Sequence, residues 1–378
     1  MSPLPLSDVL ALHRAGRLPE AEAGYRAIIA ASADADAMQL LASLLHQDGR
    51  SQEALTWLDR ALPRLARRDA AESNRAAMLL ALARFDDARA SAERVLARDP
   101  QHAGAALNRR LALLGQARAA SELLVKARHY ASYAAAGGDD PGAFLDYGNV
   151  LQNIGAAQEA IAVFEQARAL DPHSADIASA ALIAAHFHPG ADAVALAQRA
   201  RAAAAVHARG VAVRDARAGE ADCFGFYSPR FGAGPLASLV LPVLRALARR
   251  GIRIVLFPGY AHDEAEAAPF RALAAGWHHV GGLDDAAFAA RVARERVGVL
   301  FDLCGHAPGN RLRAFASRLA PLQVSWGDWF CTTGLANMDL FIGDAVTTPP
   351  AEDRCYSERV LRLPRTRFAY ALPGDAPA

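Results

Sequence analysis

A repeat with a period close to 34 residues runs through the first half of the chain and constrains its fold more than any other feature. Small residues occupy one phase of it, at Ala21, Ala54, Ala88 and Ala160. Gly16, Gly49, Ala83 and Gly155 stand five residues before them, and Tyr25, Leu58, Ala92 and Phe164 stand four residues after. A small residue lets antiparallel helices approach, a larger apolar residue fills the gap, and glycine ends a helix. Residues 1–172 therefore predict about five stacked helix pairs.

These positions resemble the tetratricopeptide repeat, most clearly from Tyr147 to Pro172. The repeat around Ala120 is degenerate, and residues 134–142 have the composition of an inserted turn. Arrays of this kind stack into an α-solenoid whose concave groove usually holds a peptide or a partner protein. We expect a client protein in this groove, and the alternative is that the array is only a structural spacer.

The Ala-rich segment 173–217 predicts one or two capping helices followed by an exposed linker. His186 and His188 within it are two residues apart. Residues at that spacing point to different faces of a helix, so the pair does not indicate a metal site.

The second half alternates short apolar runs with helical patterns, which is typical of a doubly wound, Rossmann-like α/β domain. We expect this domain to span residues 218–378. The predicted strands before residue 297 are 221–229, 253–257 and 277–280, the predicted helices are 235–250, 263–275 and 284–296, and a last strand is expected at 358–364.

Three further apolar runs, 297–301, 321–326 and 338–343, end at or just before Asp302, Asp328 and Asp344. The segment 309–319 between the first two runs predicts a crossover helix. If these two runs are parallel neighbours, the polar loops that follow them open into one crevice, where open α/β sheets bind ligands. This edge is the best candidate site in the chain.

The composition excludes several classes of function. A formal net charge of +1 among 378 residues gives no basic surface for nucleic acid. Cys223, Cys304, Cys331 and Cys355 are widely spaced, which suggests neither a zinc site nor a disulfide framework. There is no signal-peptide pattern and no apolar run that could span a membrane, so we expect no membrane partner and a cytoplasmic location. We expect no metal and no cofactor.

Two catalytic motifs are not supported by their surroundings. Residues 232–237 match G-x-G-x-x-A, but the match begins five residues after its strand and no acidic residue closes the second strand. Ser228, Ser317 and Ser325 lack the G-x-S-x-G context of a nucleophile elbow. His306 lies in a Gly-bounded loop, where it can be a general acid or base or simply a hydrogen-bonded loop histidine.

The region from Asp302 onward resembles the catalytic region of the bacterial O-GlcNAc transferase-like (SPINDLY-type) glycosyltransferases. The matching segments, in order, are Asp302–His306, Gly309–Leu312, Ala320–Trp326, Thr332–Leu335, Met338-Asp339, Asp344, Pro349-Pro350, Tyr356–Glu358 and Arg362–Pro364. Residues 227–247 extend the likeness, and with the repeat array it covers nearly the whole chain.

The resemblance implies a protein glycosyltransferase that moves a sugar from a UDP-sugar to a Ser or Thr hydroxyl. It implies that the α/β domain is the amino-terminal lobe of a two-lobed GT-B enzyme, with the UDP-sugar as substrate and not as cofactor. Such chemistry requires proton removal from the acceptor and stabilisation of the leaving diphosphate.

Three departures from the family pattern stand out. Gly234 occupies the position of a histidine regarded as a candidate base, and the family's WLGYPGTTG is replaced by a segment with Asp328. The family's second lobe, with its diphosphate-binding lysine, would follow the segment that ends at Ala378, and Lys126 in the array is the only lysine. We therefore expect a catalyst that is incomplete until a second lobe supplies the UDP-sugar site.

From the resemblance, we predict that Asp328 is a replacement base and that His306 is a second catalytic candidate. Asp302, Asn310, Thr332 and Thr333 are predicted to line the sugar or acceptor side of the cleft. Helix capping by Asn310 and Thr333, and a loop tie by Asp302, are the structural alternatives. The alternative function is a non-catalytic scaffold, in which the array binds a client and the lobe is a relic or a docking surface.

Overall fold

The structure, a computed structural model, describes residues 3–216, 219–232, 234–261 and 263–370. It divides into two compact units, Met1–Gly155 and Ala156–Ala378. The domain limits predicted from the sequence, 1–172, 173–217 and 218–378, stay a prediction. The C-terminal residues 371–378 lie outside the described residues.

The first unit is helical. Its α-helices are α1 Leu6–Arg14, α2 Leu18–Ser32, α3 Ala35–Gln47, α4 Ser51–Ala61, α5 Asp69–Ala81, α6 Phe85–Arg98, α7 Ala103–Ala119, α8 Leu123–Ala135 and α9 Pro141–Asn153. Alternate helices touch, α1 with α3, α3 with α5 and α5 with α7. In a stacked array, such contacts define the inner, concave layer.

The repeat positions do what their spacing predicts. Ala21, Ala54 and Ala88 are fully buried, and so are Tyr25 and Leu58. The residues that end the preceding helices are left-handed, with φ of 75° at Gly16, 82° at Gly49 and 54° at Ala83. Glycine adopts this conformation without strain, whereas Ala83 holds it with a Cβ in place. The fold class predicted for this half, a tetratricopeptide-type helical array, is confirmed.

The second unit begins with three more helices in the array pattern and ends with a parallel sheet. Its helices are α10 Ala157–Leu170, α11 Ala175–His186, α12 Ala193–Ala208, α13 Pro235–Arg249, α14 Glu264–Arg271, α15 Asp285–Arg294 and α16 Leu312–Ala316. Its strands are β1 Glu220–Ser228, β2 Arg253–Pro258, β3 Gly276–Trp277, β4 Val297–Asp302, β5 Leu322–Ser325, β6 Leu340–Asp344 and β7 Arg359–Leu363.

The sheet order is β3-β2-β1-β4-β5-β6-β7, and all neighbours are parallel. The predicted Rossmann-like α/β domain is therefore confirmed, including the pairing of 297–301 with 321–326. The order reverses between β1 and β4, which is the topological switch point. At the carboxyl edge, Tyr227 is level with Asp302, and Asp302 is level with Ser325.

Both faces of the sheet are packed. One face buries Phe288 of α15 and Phe315 of α16, together with Ala204 of α12. The other buries Val240 of α13 and Phe270 of α14, among others. Right-handed crossovers explain this division, because the chain moves one way across the sheet from β1 to β3 and the other way from β4 to β7.

Connections beyond β4 are shorter and less helical than predicted. The expected helix over 309–319 is reduced to α16, five residues long. The connection from β5 to β6 has no helix, and it turns at Gly327 and Gly334, where φ is 88° and 75°. A 3-10 turn, Pro350–Cys355, joins β6 to β7. The carboxyl edge is therefore built largely from irregular backbone, which must find its hydrogen bonds individually.

A close backbone approach at this edge gives a stability prediction. A Cβ on Gly281 would stand 1.7 Å from the carbonyl oxygen of Gly259, whereas a Cβ on the adjacent Gly282 meets nothing within 4 Å. We expect Gly281→Ala to lower the free energy of unfolding by roughly 2 kcal/mol, because backbone must move to admit the methyl group. Gly282→Ala, the matched control, should change it by less than about 0.5 kcal/mol. Urea denaturation followed by fluorescence measures both, and equal effects would contradict the contact.

Candidate functional site

Two loops meet at the carboxyl edge beside the switch point. The first, residues 303–311, follows β4, and the second, residues 326–334, follows β5. We call the second the clamped loop, because buried groups hold it from several sides. At its start, the backbone N–H of Trp326 donates to the Asp302 carbonyl oxygen at 3.0 Å. The two loops are thus tied together where they leave the sheet.

Asp302 lies at the end of β4 and is fully buried. Its carboxylate accepts hydrogen bonds from the backbone N–H groups of Cys304 at 3.1 Å and Gly305 at 2.9 Å. Burial raises the pKa of Asp302 to about 7, against the lowering effect of these two hydrogen bonds. The predicted substrate-binding residue thus folds its own loop in this structure, and a binding role for it stays a prediction.

His306 is buried deeply, with 1% of its surface exposed. Its Nε2 lies 2.8 Å from the carbonyl oxygen of Thr333 in the clamped loop, and its Nδ1 lies 2.9 Å from Ser179 Oγ on α11. Burial lowers the pKa of His306 to about 3. The ring is therefore neutral near pH 7 and has both nitrogens engaged, which matches the hydrogen-bonded alternative of the sequence interpretation. The catalytic role stays a prediction.

Thr332 and Thr333 are fully buried and point to one carboxylate, that of Glu358. Thr332 Oγ1 donates to Glu358 Oε2 at 2.5 Å. Thr333 donates its backbone N–H and its Oγ1 to Oε1 at 2.7 and 2.5 Å. Thr332 Oγ1 also accepts the backbone N–H of Ser357 at 3.1 Å. The two threonines therefore join the clamped loop to the segment before β7, and their predicted contact with substrate stays a prediction.

Arg367 holds the other end of the clamped loop. Its side chain is 2% exposed, and Nη2 donates to the carbonyl oxygens of Gly327, at 2.9 Å, and Trp329. Trp326 Nε1 donates back to the Arg367 carbonyl at 3.0 Å. The Arg367 backbone N–H donates to Asp344 at 2.8 Å, and burial lowers the pKa of the guanidinium. A buried cation thus supports two carbonyls that have no secondary-structure partner.

Against this buried framework, Asp328 and Phe330 are exposed. Phe330 has 49% of its surface exposed, while Trp329 between them has 2%. The backbone N–H of Asp328 donates to the Leu303 carbonyl at 3.3 Å, so the carboxylate projects from a fixed backbone. Of the residues predicted to carry chemistry, Asp328 is the one that the structure places in contact with solvent on this loop. Its role as a base stays a prediction.

Asn310 closes the first loop. Its Nδ2 donates to the Ala307 carbonyl at 3.2 Å, and its Oδ1 accepts the Leu312 N–H at 3.3 Å at the start of α16. The side chain is half-buried, and its contacts close the turn before α16. The N-cap residue of α16 is Arg311, without a side-chain capping hydrogen bond, so the predicted helix cap by Asn310 is not formed. Gly234, where the resembled family has a histidine, precedes α13 with φ 124°. That conformation favours glycine, so a histidine there would be strained.

The sequence interpretation missed Glu358, Arg367 and Ser179. Glu358 belongs to the matching segment 356–358 and is the first residue of the predicted strand 358–364. The sequence therefore contained a signal for this residue. Arg367 and Ser179 gave no signal, because their partners are distant in sequence. Ser179 and His306 are separated by 127 positions.

Comparisons with known proteins show which sequences and folds this chain is similar to. Residues 214–371 match Glycosyl transferase family 41. A probable UDP-N-acetylglucosamine–peptide N-acetylglucosaminyltransferase SPINDLY of Oryza sativa subsp. japonica is 28% identical over 156 residues, which is 40% of this chain and 17% of the relative. A UDP-N-acetylglucosamine–peptide N-acetylglucosaminyltransferase of Caenorhabditis elegans is 35% identical over 80 residues, 21% of this chain and 7% of the relative.

Among solved structures, a point mutant of the Thermobaculum terrenum O-GlcNAc transferase superposes with a TM-score of 0.65 and 26% identity. The match covers 83% of this chain and 61% of that one. The helical array and the parallel sheet, together with these matches, make the chain similar to the tetratricopeptide-repeat, O-GlcNAc transferase-like proteins. Residues 214–371 are similar to the family 41 glycosyltransferases, and the parallel sheet fits the lobe expected of a GT-B enzyme. The matched region spans less than a fifth of the plant relative and about three fifths of the bacterial transferase.

The helices of the described ranges are too short or too polar to cross a lipid bilayer.

The raised pKa of Asp302 predicts a pH dependence. A carboxyl whose pKa is about 7 when folded and near 3.9 when unfolded stabilises the fold below about pH 4, and that contribution is lost as the pH rises through 7. We expect the stability of Asp302→Asn relative to the wild type to improve by roughly 4 kcal/mol between pH 4 and 8. Urea denaturation at several pH values measures it.

Asp344→Asn is the control, because Asp344 also ends a strand but has a pKa held near 2 by backbone N–H groups of Thr347 and Arg367. Its contribution is present above about pH 4 and is lost only as the pH falls toward 2. The difference in stability between Asp344→Asn and the wild type should therefore stay nearly constant between pH 4 and 8. A constant difference for Asp302→Asn would show that Asp302 is not buried as a neutral acid.

The Glu358 contacts predict a second stability effect. Glu358→Gln replaces one carboxylate oxygen with an NH2 group that faces one or two of the three donors, so we expect a loss of about 2 kcal/mol in the free energy of unfolding. Glu352→Gln, half-buried in the preceding turn, should cost less than about 0.5 kcal/mol. Chemical denaturation of both variants measures the free energy of unfolding. An unchanged value for Glu358→Gln would show that Glu358 does not anchor the clamped loop.

Proposed function

We propose that this chain is a UDP-sugar-dependent protein O-glycosyltransferase component, in which the family 41 domain presents the clamped loop to the sugar or acceptor. The observation that carries this proposal is the exposed Asp328 on an anchored loop at the carboxyl edge, beside the switch point where open α/β sheets bind ligands. The named activity of the matched relatives, transfer of N-acetylglucosamine to peptides, indicates the reaction class.

In this proposal Asp328 accepts the proton of the acceptor hydroxyl as its oxygen attacks the anomeric carbon, while the bond from that carbon to the diphosphate oxygen breaks and UDP leaves with the electron pair. A carboxylate suits that role when its backbone is fixed, because proton transfer depends on placement within hydrogen-bond reach. His306, Thr332 and Thr333 then act by shaping the loop. Asp302 and Asn310 do the same for the neighbouring loop. The UDP-sugar needs further contacts, which a second lobe would supply.

The concave layer of the array is the proposed client site. On α7, Leu107 and Leu111 lie one turn apart and are 46% and 44% exposed. Exposed leucines on the inner layer of a helical array suit an extended peptide with apolar side chains. A cytoplasmic and bacterial setting is part of this proposal.

One observation favours the alternative, a non-catalytic client-binding scaffold. Asp302, His306, Thr332 and Thr333 are all buried and satisfied by protein groups. In the scaffold interpretation these residues only build a stable lobe, and the lobe serves as a docking surface.

Calorimetry with UDP and UDP-GlcNAc at millimolar concentration separates the two functions. The transferase proposal expects weak but saturable heat from this chain at millimolar ligand, because the clamped loop contacts the sugar while the remaining UDP contacts belong to a second lobe. Asp328→Asn should bind within about threefold of the wild type, because a general base acts on the chemical step. Where transfer to a peptide is measured, the same variant should be slower by about 10²–10⁴-fold, the usual contribution of such a base. Asp222→Asn, an exposed acid near the amino end of β1, is the matched control. No heat with either ligand would favour the scaffold.

A further inference from the structure

Three buried polar side chains connect α11 and α12 to the clamped loop by hydrogen bonds. Ser179 Oγ on α11 lies 2.8 Å from His207 Nε2 on α12 and 2.9 Å from His306 Nδ1. His306 Nε2 continues the series to the Thr333 carbonyl oxygen at 2.8 Å. Ser179 and His207 are each 3% exposed. Helices that follow the repeat array are thus hydrogen-bonded to the edge of the sheet.

The partners assign a direction to these hydrogen bonds. The Thr333 carbonyl can only accept, so His306 carries its proton on Nε2. A neutral His306 then accepts at Nδ1 from the Ser179 hydroxyl, and the Ser179 oxygen accepts from His207 Nε2–H. This single arrangement pairs all four groups, with both imidazoles neutral. Desolvation favours it, since burial lowers the pKa of His306 to about 3 and of His207 to about 4.

The neighbouring titratable groups do not offset the lowering of the two histidine pKa values by desolvation. His306 faces His207 and His186, which both disfavour its protonation. His207 feels Asp176 of α11 and Asp285 of α15, which favour its charged form, and Arg313 of α16, which opposes it. Desolvation outweighs all of these for both rings. The hydrogen bonds therefore keep the same donors and acceptors across the physiological pH range.

The same helices shape the clamped loop by contact. A Cβ on Gly334 would stand 2.4 Å from the Ala200 carbonyl of α12, and Gly334 has φ 75°. The His186 ring on α11 packs edge-on against Trp329 and Phe330, with centroids 5.8 and 5.0 Å away. The loop is thus held on both sides of Asp328, by the His306 hydrogen bond at position 333 and by the Arg367 hydrogen bond at position 327.

We propose that Ser179 and His207 are positioning residues for the clamped loop, which they hold through His306 in the conformation that presents Asp328. The effect on chemistry rests on the proposed transferase function, whereas the effect on the loop does not. Helices α11 and α12 then act as part of the transferase lobe and not as a cap or linker.

Hydrogen exchange on the full chain tests the tie. Ser179→Ala leaves His207 without an acceptor and His306 without a donor, so amides of 326–335 should exchange about tenfold faster. His207→Gln keeps an N–H donor near the Nε2 position and should exchange like the wild type, whereas His207→Leu should resemble Ser179→Ala. Ser317→Ala is the matched control, because this buried hydroxyl donates locally to the Ala314 carbonyl at 2.7 Å.

Ring-nitrogen NMR of the wild type gives an independent signature. Both His306 and His207 should show the neutral Nε2–H tautomer without titrating between about pH 5 and 8. A His306 that titrates near its ordinary pKa, or unchanged exchange at 326–335 in both Ser179→Ala and His207→Leu, would overturn the proposal. If a variant fails to fold, the NMR signature and the remaining variant still decide. Absence of UDP-GlcNAc binding would reject the transferase function alone.

Discussion

The carboxyl edge of this sheet depends on the satisfaction of buried polar groups in irregular backbone. The connection between β5 and β6 has no helix to pair its carbonyls, and a buried unpaired carbonyl or N–H costs about 1–3 kcal/mol. Three side chains meet that need: Glu358 takes the threonine donors, Arg367 supports the carbonyls of 327 and 329, and His306 supports that of 333. Because each comes from a different element, the loop is fixed only when the whole unit is assembled.

Topology explains why the loop lies where it does. The reversal of strand order between β1 and β4 opens a crevice at the carboxyl edge, and the right-handed crossovers send the β4–β7 connections to the side of α12 and α15. The two exposed residues on the clamped loop, Asp328 and Phe330, alternate with the buried Trp329. A polar and an aromatic side chain on a fixed backbone are suited to bind a ligand, which is why the proposed chemistry is placed there.

Much of this arrangement follows from the sequence. The period near 34 predicted the buried alanines and the left-handed residues that end the helices, since close helix packing admits few side chains. Short apolar or strand-like runs predicted all seven strands of the sheet. The inner strands are continuously hydrophobic because both of their faces are covered, whereas the edge strand β7 is partly exposed. The short helix α16 was predicted too long, since its pattern was amphipathic but Gly309 and Arg318, with φ of 84° and 61°, bound it closely.

What the sequence could not provide is which side chains satisfy one another. From the sequence, His306 is a candidate acid or base, but in the fold it is a buried, neutral ring that hydrogen-bonds to Thr333. Thr332 and Thr333 are likewise buried and donate to Glu358. Neither change is visible in residue type or spacing, because desolvation and hydrogen-bond pairing depend on groups up to 127 positions apart. The sequence by itself determined the repeat array, the parallel sheet and the edge where chemistry is expected. The tertiary structure alone decided which residues at that edge face solvent and which hold the others in place, because only folding brings distant polar groups within hydrogen-bond distance.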